Sequence, residues 1–454
     1  MHSMMSCRRG RQRRHRWVAV LASLSIVAVA QIPAAGQSDL ATSAEETLEQ
    51  AWRRALEADA EYAASTAQSA SARAGEQAAK SARWPTLSVS ATYTQFADAP
   101  ALSVTTPDFS FSSPRIFDND DTVMGTAQLQ WPVFTGGSIS AGIRAATSGR
   151  LAAEANEQVA IASLKMTVAE LYVDVWHARK MRVAAETAVE ALAVHTDAVA
   201  AMVEAELRSR ADLLASKVAL SAARDRLIQA QHAQDLAQGA YNRRLGYPLD
   251  RVPALAEQLP PVRDLRGEPL DVLQSRAVAQ RAELAAMSAA RDGLAEQAKA
   301  ENGKRLPQFA LLAGYQHLET TILDRDEFSM IGIGMQWSLF DGGQARNKAA
   351  ALRRASEATE WQRQSMESAI RLQVQQHWLA IDSADARAVV AREALAEADE
   401  NLRLTRELYA VEMITNSQVL EAVALQQAAS AQATRAAMDT VLARLTLLRS
   451  VGEL

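Results

Sequence analysis

The 454-residue chain has one cysteine, Cys7, and that residue lies in a basic leader. Beyond it there is no thiol for a disulfide, a metal or a lipid, so packing alone must hold the fold. Aromatic residues make up only 5% of the chain against 48% hydrophobic overall. Such an alanine-rich composition suits narrow helix–helix seams better than a bulky globular core. Proline is missing from 138–205 and again from 347–411. The one uncharged apolar run near the start, Trp17 to Ala30, has 14 residues; a spanning helix needs about 20.

Chemistry-bearing motifs are missing too. His177, His195, His232, His317 and His377 stand apart with no metal-ligand spacing, each expected on a helix surface or in a seam. The pairs Gly136-Gly137 and Gly342-Gly343 lack the following Lys-Ser/Thr of a phosphate-cradling loop. Methionines are scattered, which gives no copper relay. With a net charge of −5, nucleic acid is not an expected partner. No catalytic, cofactor-binding or metal residue is expected.

What is present begins with export. Arg8, Arg9, Arg11, Arg13, Arg14 and Arg16 precede the short apolar run, and small residues follow at Ala28-Val29-Ala30 and Ala34-Ala35-Gly36. Residues 1–36 are expected to be a signal peptide. No cysteine stands at the cleavage point, so the mature protein is expected to be non-lipidated.

The remainder is a duplication. Trp131-Pro132-Val133-Phe134-Thr135-Gly136-Gly137 recurs 206 positions later (131 to 337) as Trp337-Ser338-Leu339-Phe340-Asp341-Gly342-Gly343. The same offset carries Glu206 to Leu214 onto Glu412 to Leu420 without a gap. Upstream, Trp84-Pro85 recurs as Leu306-Pro307, 222 positions on (85 to 307). The reading is a first repeat over 37–246, a linker over 247–266 rich in proline, and a second repeat over 267–454. Each opens with a helical stretch, Ser43 to Arg83 and Gly267 to Lys304.

Two uncharged segments of alternating polarity follow in each copy: about 85–97 and 122–134, then about 307–317 and 328–340. Leu87, Val89, Ala91 and Tyr93 alternate with Ser88, Ser90, Thr92 and Thr94; Val123, Ala127, Leu129, Trp131 and Val133 share a face of the second segment. In the second copy Phe309, Leu311, Ala313 and Tyr315 share one face, and Ile331, Ile333, Met335, Trp337 and Leu339 share another. About ten uncharged residues is the length a tilted strand needs to cross a bilayer, with Trp and Tyr at its interfaces. Acidic residues gather between the strands of each pair, at Asp98, Asp108, Asp118, Asp120 and Asp121 and at Glu319, Asp324, Asp326 and Glu327. A soluble sheet with one buried face shares the alternation but has no need for uncharged segments of that length.

Proline-free helices then run over about 138–205 and 345–411, each followed by a tip, about 206–210 and 412–416, and a returning helix, about 211–245 and 417–450. Leu164, Val168, Leu171 and Val175 show the spacing of a coiled-coil seam. Four strands leave open edges, which cost several kcal/mol per unpaired group in lipid, so membrane strands demand oligomerisation. Two copies make a plugged eight-stranded barrel and three make twelve strands around a lumen, which favours a homotrimer.

With Pro85 and Pro307, the two Trp-x-x-Phe-x-Gly-Gly turns and the two tips, the chain resembles the TolC-type outer-membrane efflux protein family over nearly its whole length. The resemblance implies a mainly α fold with a small β-barrel part: a trimeric twelve-stranded barrel in outer-membrane lipid, continued by a coiled-coil tunnel through the periplasm. It implies a passive exit channel for efflux or type I secretion, partnered by a periplasmic adaptor and an inner-membrane pump of RND or ABC type. The alternative is a periplasmic coiled-coil adaptor or spacer without a pore. By motif position Tyr409, Gln418, Glu421 and Asp212 fall at the periplasmic gate. Glu206, Leu207, Arg208 and Ser209, with Glu412, Met413, Ile414 and Thr415, form the adaptor-contacting tips. Ile414 stands where well-known members carry a gate arginine, and Glu206 and Glu412 where the family usually has glycine.

Overall fold

The computed structural model describes residues 45–98, 103–112, 117, 120–318 and 325–454. The expected signal peptide, Asp118, Glu319 and Asp324 fall outside them.

The repeat is visible element by element. The first copy comprises α1 (Leu48–Ala58), α2 (Ala60–Ser81), β1 (Thr86–Gln95), β2 (Ser103–Thr106), β3 (Phe109–Ser112), β4 (Asp121–Phe134), α3 (Ser138–Glu204) and α4 (Arg210–Leu245). The second comprises α5 (Leu270–Gln280), α6 (Ala282–Gly303), β5 (Gln308–Leu318), β6 (Glu327–Gln336), α7 (Gln344–Ala410) and α8 (Asn416–Val451). Helices α3 and α7 have 67 residues each, and α4 and α8 have 36 each. At 1.5 Å per residue the long pair spans about 100 Å.

Three expectations need correction. The opening helical stretch of each copy is two helices, broken at Asp59 and Arg281, whose backbones are extended (ψ 122 in both). Asp59 ends α1 and starts α2: its carboxylate accepts from the Tyr62 amide at 2.8 Å and pairs with Arg244 at 3.1 Å. No proline or glycine marks either break, so helix propensity gave no warning. Second, the longer loop of the first copy carries an extra hairpin, β2–β3. Third, the fourth strand stops at Gln336, which leaves Trp337 and Leu339 in the strand-to-helix turn.

The sheet order is β1-β4-β5-β6, all antiparallel. The central pairing therefore joins the two repeats, Leu129 opposite Ala313 and Ala127 opposite Tyr315. Since directly paired residues share a face, Leu87, Leu129, Ala313 and Ile331 line up across all four strands. The opposite face carries Ser88 and Gln128, then Gly314 and Met330. Strands β1 and β6 each keep one unpaired edge among the described residues. Val89, Ile331 and Ile333, each at least 76% exposed, belong to these outer strands. No helix among the described residues is long and apolar enough to cross a membrane.

The main helical core lies where α3 meets α1, α4 and the linker, around Leu164, Val168, Tyr172 and Val175. A second cluster joins α5, α7 and α8 through Leu273, Ile370, Ile381 and Leu447. Arg363 and Arg291 hold the Glu360 carboxyl down to about 2 and tie α6 to α7.

Candidate functional site: the tips of the helical hairpins

At the far ends of α3 and α7 the chain reverses through the same turn twice. The Glu206 amide bonds to the Val203 carbonyl and the Leu207 amide to Met202; the Glu412 amide bonds to Tyr409 and the Met413 amide to Leu408. This paired closure requires a left-handed residue at the turn, and Glu206 (φ 60) and Glu412 (φ 62) supply it without being glycine. Ser209 and Thr415 then cap the returning helices.

Two of the expected gate residues serve these caps. Asp212 takes the Ser209 hydroxyl at 2.8 Å, and Gln418 takes the Thr415 amide at 2.9 Å. They are the reciprocal partners of two capping boxes. Glu421 is exposed and makes no ion pair among the described residues. Exposed Leu207 and Met413 put apolar side chains at equivalent points of the two tips, while Ile414 packs inward with Val199, Val419 and Tyr409.

Tyr409 is only 4% exposed. Its ring lies 5.2 Å from the His195 ring and 4.7 Å beneath the Arg208 guanidinium, centre to centre. Its hydroxyl has no hydrogen-bond partner among the described residues. The cation at this tyrosine thus comes from the first tip, whereas the family pattern places an arginine at the position of Ile414. Burial pushes the Tyr409 hydroxyl up, Arg208 opposes that, and Asp212 adds to it.

Sequence reasoning expected His195 on a helix surface or in a seam without a partner, and it singled out neither Ser216 nor Asn416. The Asn416 side-chain oxygen lies 2.7 Å from His195 Nε2 and accepts from the Ser216 hydroxyl at 3.2 Å. Its amide donates to the Asp212 carbonyl at 3.0 Å. Asn416 and Ser216 are buried. One side chain at the start of α8 thereby fastens α3 and α4, and His195 also meets α7 through Tyr409. Burial lowers the His195 pKa, the Asn416 bond raises it, and Arg406 lowers it further. The Asn416 oxygen can only accept, so Nε2 of His195 is the donor in this contact. A signal existed: His195 follows Leu192 and precedes Val199 at helical spacing on a buried stripe. The repeat hid it, since 206 positions on from His195 stands Asn401, and before Asn416 stands Arg210.

Beside this clasp an open cleft of about 420 Å³ runs between α3 and α7, lined by Val194, Ala198, Met202, His195, Arg406 and Tyr409. No group of His, Cys, Asp and Glu able to hold a metal ion occurs among the described residues. The geometry is that of a fastening, with hydrogen bonds from one side chain of α8 to α3 and α4.

The sequence pattern of the outer membrane efflux proteins matches residues 51–246 and 273–453. No curated protein matches the chain closely enough to count. Among solved structures, the outer membrane protein VceC of Vibrio cholerae superposes with a TM-score of 0.75 at 16% identity, covering 89% of this chain and 96% of that one. The CmeC outer membrane channel of Campylobacter jejuni gives 0.76 at 12% identity, over 89% and 85%. The open-state MtrE outer membrane channel of Neisseria gonorrhoeae gives 0.70 at 16%, over 90% and 89%. At such identities the likeness establishes the fold.

Proposed function

The chain belongs to the outer membrane efflux protein family, and from that premise we propose that it is the passive exit duct of a tripartite efflux or type I secretion assembly. As a member of that family it is an outer-membrane efflux channel and not an enzyme. Three copies would close the wall, with β6 of one pairing to β1 of the next. A periplasmic adaptor would meet the tips at Glu206, Leu207, Arg208 and Ser209 and at Glu412, Met413, Ile414 and Thr415. An inner-membrane pump of RND or ABC type would supply energy and choose the cargo.

The observation that carries the reading is the four-stranded sheet with two open edges and an apolar row, Leu87, Leu129, Ala313 and Ile331, across all four strands, joined to helices of about 100 Å. An adaptor or spacer confined to the periplasm gains nothing from such a sheet, whose bare edges invite aggregation. Repetition around a threefold axis completes the wall and leaves every strand paired.

At the tip the reading assigns Tyr409, Asp212 and Gln418 to the closed gate. Tyr409 seals the seam, while Asp212 and Gln418 fix the turns. Glu421 would give three negative charges in a ring near the narrow end, which favours cations and repels anions. The test is conductance of the purified protein in planar bilayers. Wild type is expected to be a detergent-stable trimer with cation preference, and Glu421→Ala to lose much of that preference. A monomer in micelles, or recovery in the soluble periplasmic fraction, removes the channel reading; unchanged selectivity moves the ring elsewhere.

A further inference from the structure

The strand-to-helix junctions hold a feature that neither the wall nor the gate uses. Trp131 Nε1 donates to the Arg83 carbonyl at 3.0 Å, and Trp337 Nε1 donates to the Arg305 carbonyl at 3.0 Å. Each indole is thereby locked at the foot of the sheet, half exposed, with an arginine at the same level. In the second repeat this foot opens into a cleft of about 870 Å³. Leu339 (78% exposed) and Phe340 (90% exposed) stand beside it as bare apolar side chains.

The cations of the cleft are distinctive. Lys299 and Lys304 are neutralised by Glu296 and Glu301, at 2.7 and 2.6 Å. Asp341 spends its charge on the start of α7, accepting from the Gly343 and Ala345 amides at 2.8 and 2.9 Å. Arg305 and Arg346 make no ion pair among the described residues, yet both line the cleft. The first repeat has Ser140 where Arg346 stands and Ala82 where Lys304 stands, though Arg83 and Phe134 match Arg305 and Phe340. The duplicated fold does not need a charge at Arg346, because the first copy has Ser140 there.

We infer that this cleft binds an anionic phospholipid of the periplasm-facing leaflet, its phosphate held by Arg305 and Arg346 and its acyl chains lying along Leu339 and Phe340. Guanidinium groups match phosphate oxygens in pairs. Trp at this depth marks the boundary where headgroups meet hydrocarbon. Cations just outside the hydrocarbon gain from anionic lipid within a Debye length. One cleft per copy gives three lipids per trimer, each seated where β6 must meet the next copy.

The inference rests on the sheet being the membrane wall proposed above. The experiment uses the full-length mature trimer in nanodiscs of equal phosphatidylglycerol and phosphatidylcholine, with retained lipids counted by native mass spectrometry. Wild type is expected to keep phosphatidylglycerol several-fold over phosphatidylcholine, up to three per trimer, and Arg305→Gln/Arg346→Gln to fall to the bulk ratio. An unbiased wild type, or a double variant that retains the bias, overturns the lipid site and leaves the wall intact. Loss of the trimer in the double variant, equally in pure phosphatidylcholine, means the arginines seat on the neighbouring copy and also overturns it. Wild type that fails to insert overturns the wall reading itself.

Discussion

Replacing Asn416 by alanine tests the clasp most directly. The side chain makes contacts at 2.7, 3.0 and 3.2 Å to His195, the Asp212 carbonyl and Ser216, and the residue is 2% exposed. A buried hydrogen bond contributes about 1 kcal/mol, and stranding a buried partner costs about 1–3 kcal/mol. The closed tip therefore loses about 2–4 kcal/mol per protomer, while an open, hydrated tip loses little. At 1.36 kcal/mol per factor of ten, opening shifts by roughly 30- to 900-fold. Helix α8 itself should survive, because its cap is Thr415. The assay is closed-state conductance in planar bilayers, with Gln426→Ala as control; that residue makes an exposed 2.9 Å bond to Asp399 inside the second hairpin. Folded Asn416→Ala trimers that conduct no more than the control would refute the clasp.

The remaining expectations concern the same seam. His195 has a folded pKa below its free value, so the open or unfolded state binds more protons in the window between them, and closed-state stability rises with pH. That stability is complete above the free value near 6.5 and falls as pH drops below it toward the folded pKa. Conductance should rise on acidification, against Arg208, Arg406 and Glu190 as neighbouring charges. His195→Gln keeps a donor for Asn416 and should flatten the response; an unchanged pH profile counts against His195. Tyr409→Phe should leave the closed state intact or tighter by up to about 1 kcal/mol, since the hydroxyl is unpaired. Arg208→Ala should loosen it by about 0.5–2 kcal/mol through loss of the cation over the ring; the reverse order in bilayer leakage supports a hydroxyl latch instead. Glu206→Gly and Glu412→Gly should each stabilise the protein by about 0.5–1 kcal/mol in denaturant melts, because the left-handed backbone strains any residue with a Cβ.

Much of the molecule was legible before any coordinates. Local periodicity determined that two copies of one unit exist, that each holds bilayer-length strands without charge, and that a helix of about 100 Å follows. The left-handed turn at Glu206 and Glu412 was not legible: glutamate stands where the family usually has glycine, and only the backbone shows φ 60 and φ 62 there. Periodicity could not say that β4 pairs with β5 across the repeats, because alternation orders the faces of a strand and is silent about its neighbour. Nor could it foresee Arg208 over Tyr409, or His195 bonded to an asparagine 221 residues away. The kinks at Asp59 and Arg281 were hidden as well, since no proline or glycine marks them; Asp59 caps α2 through the Tyr62 amide and pairs with Arg244 on another helix. Sequence by itself determined the repeat, the alternating strands and the long helices, whose causes lie within a few residues; tertiary structure alone decided which parts meet, because packing chooses partners from the whole chain.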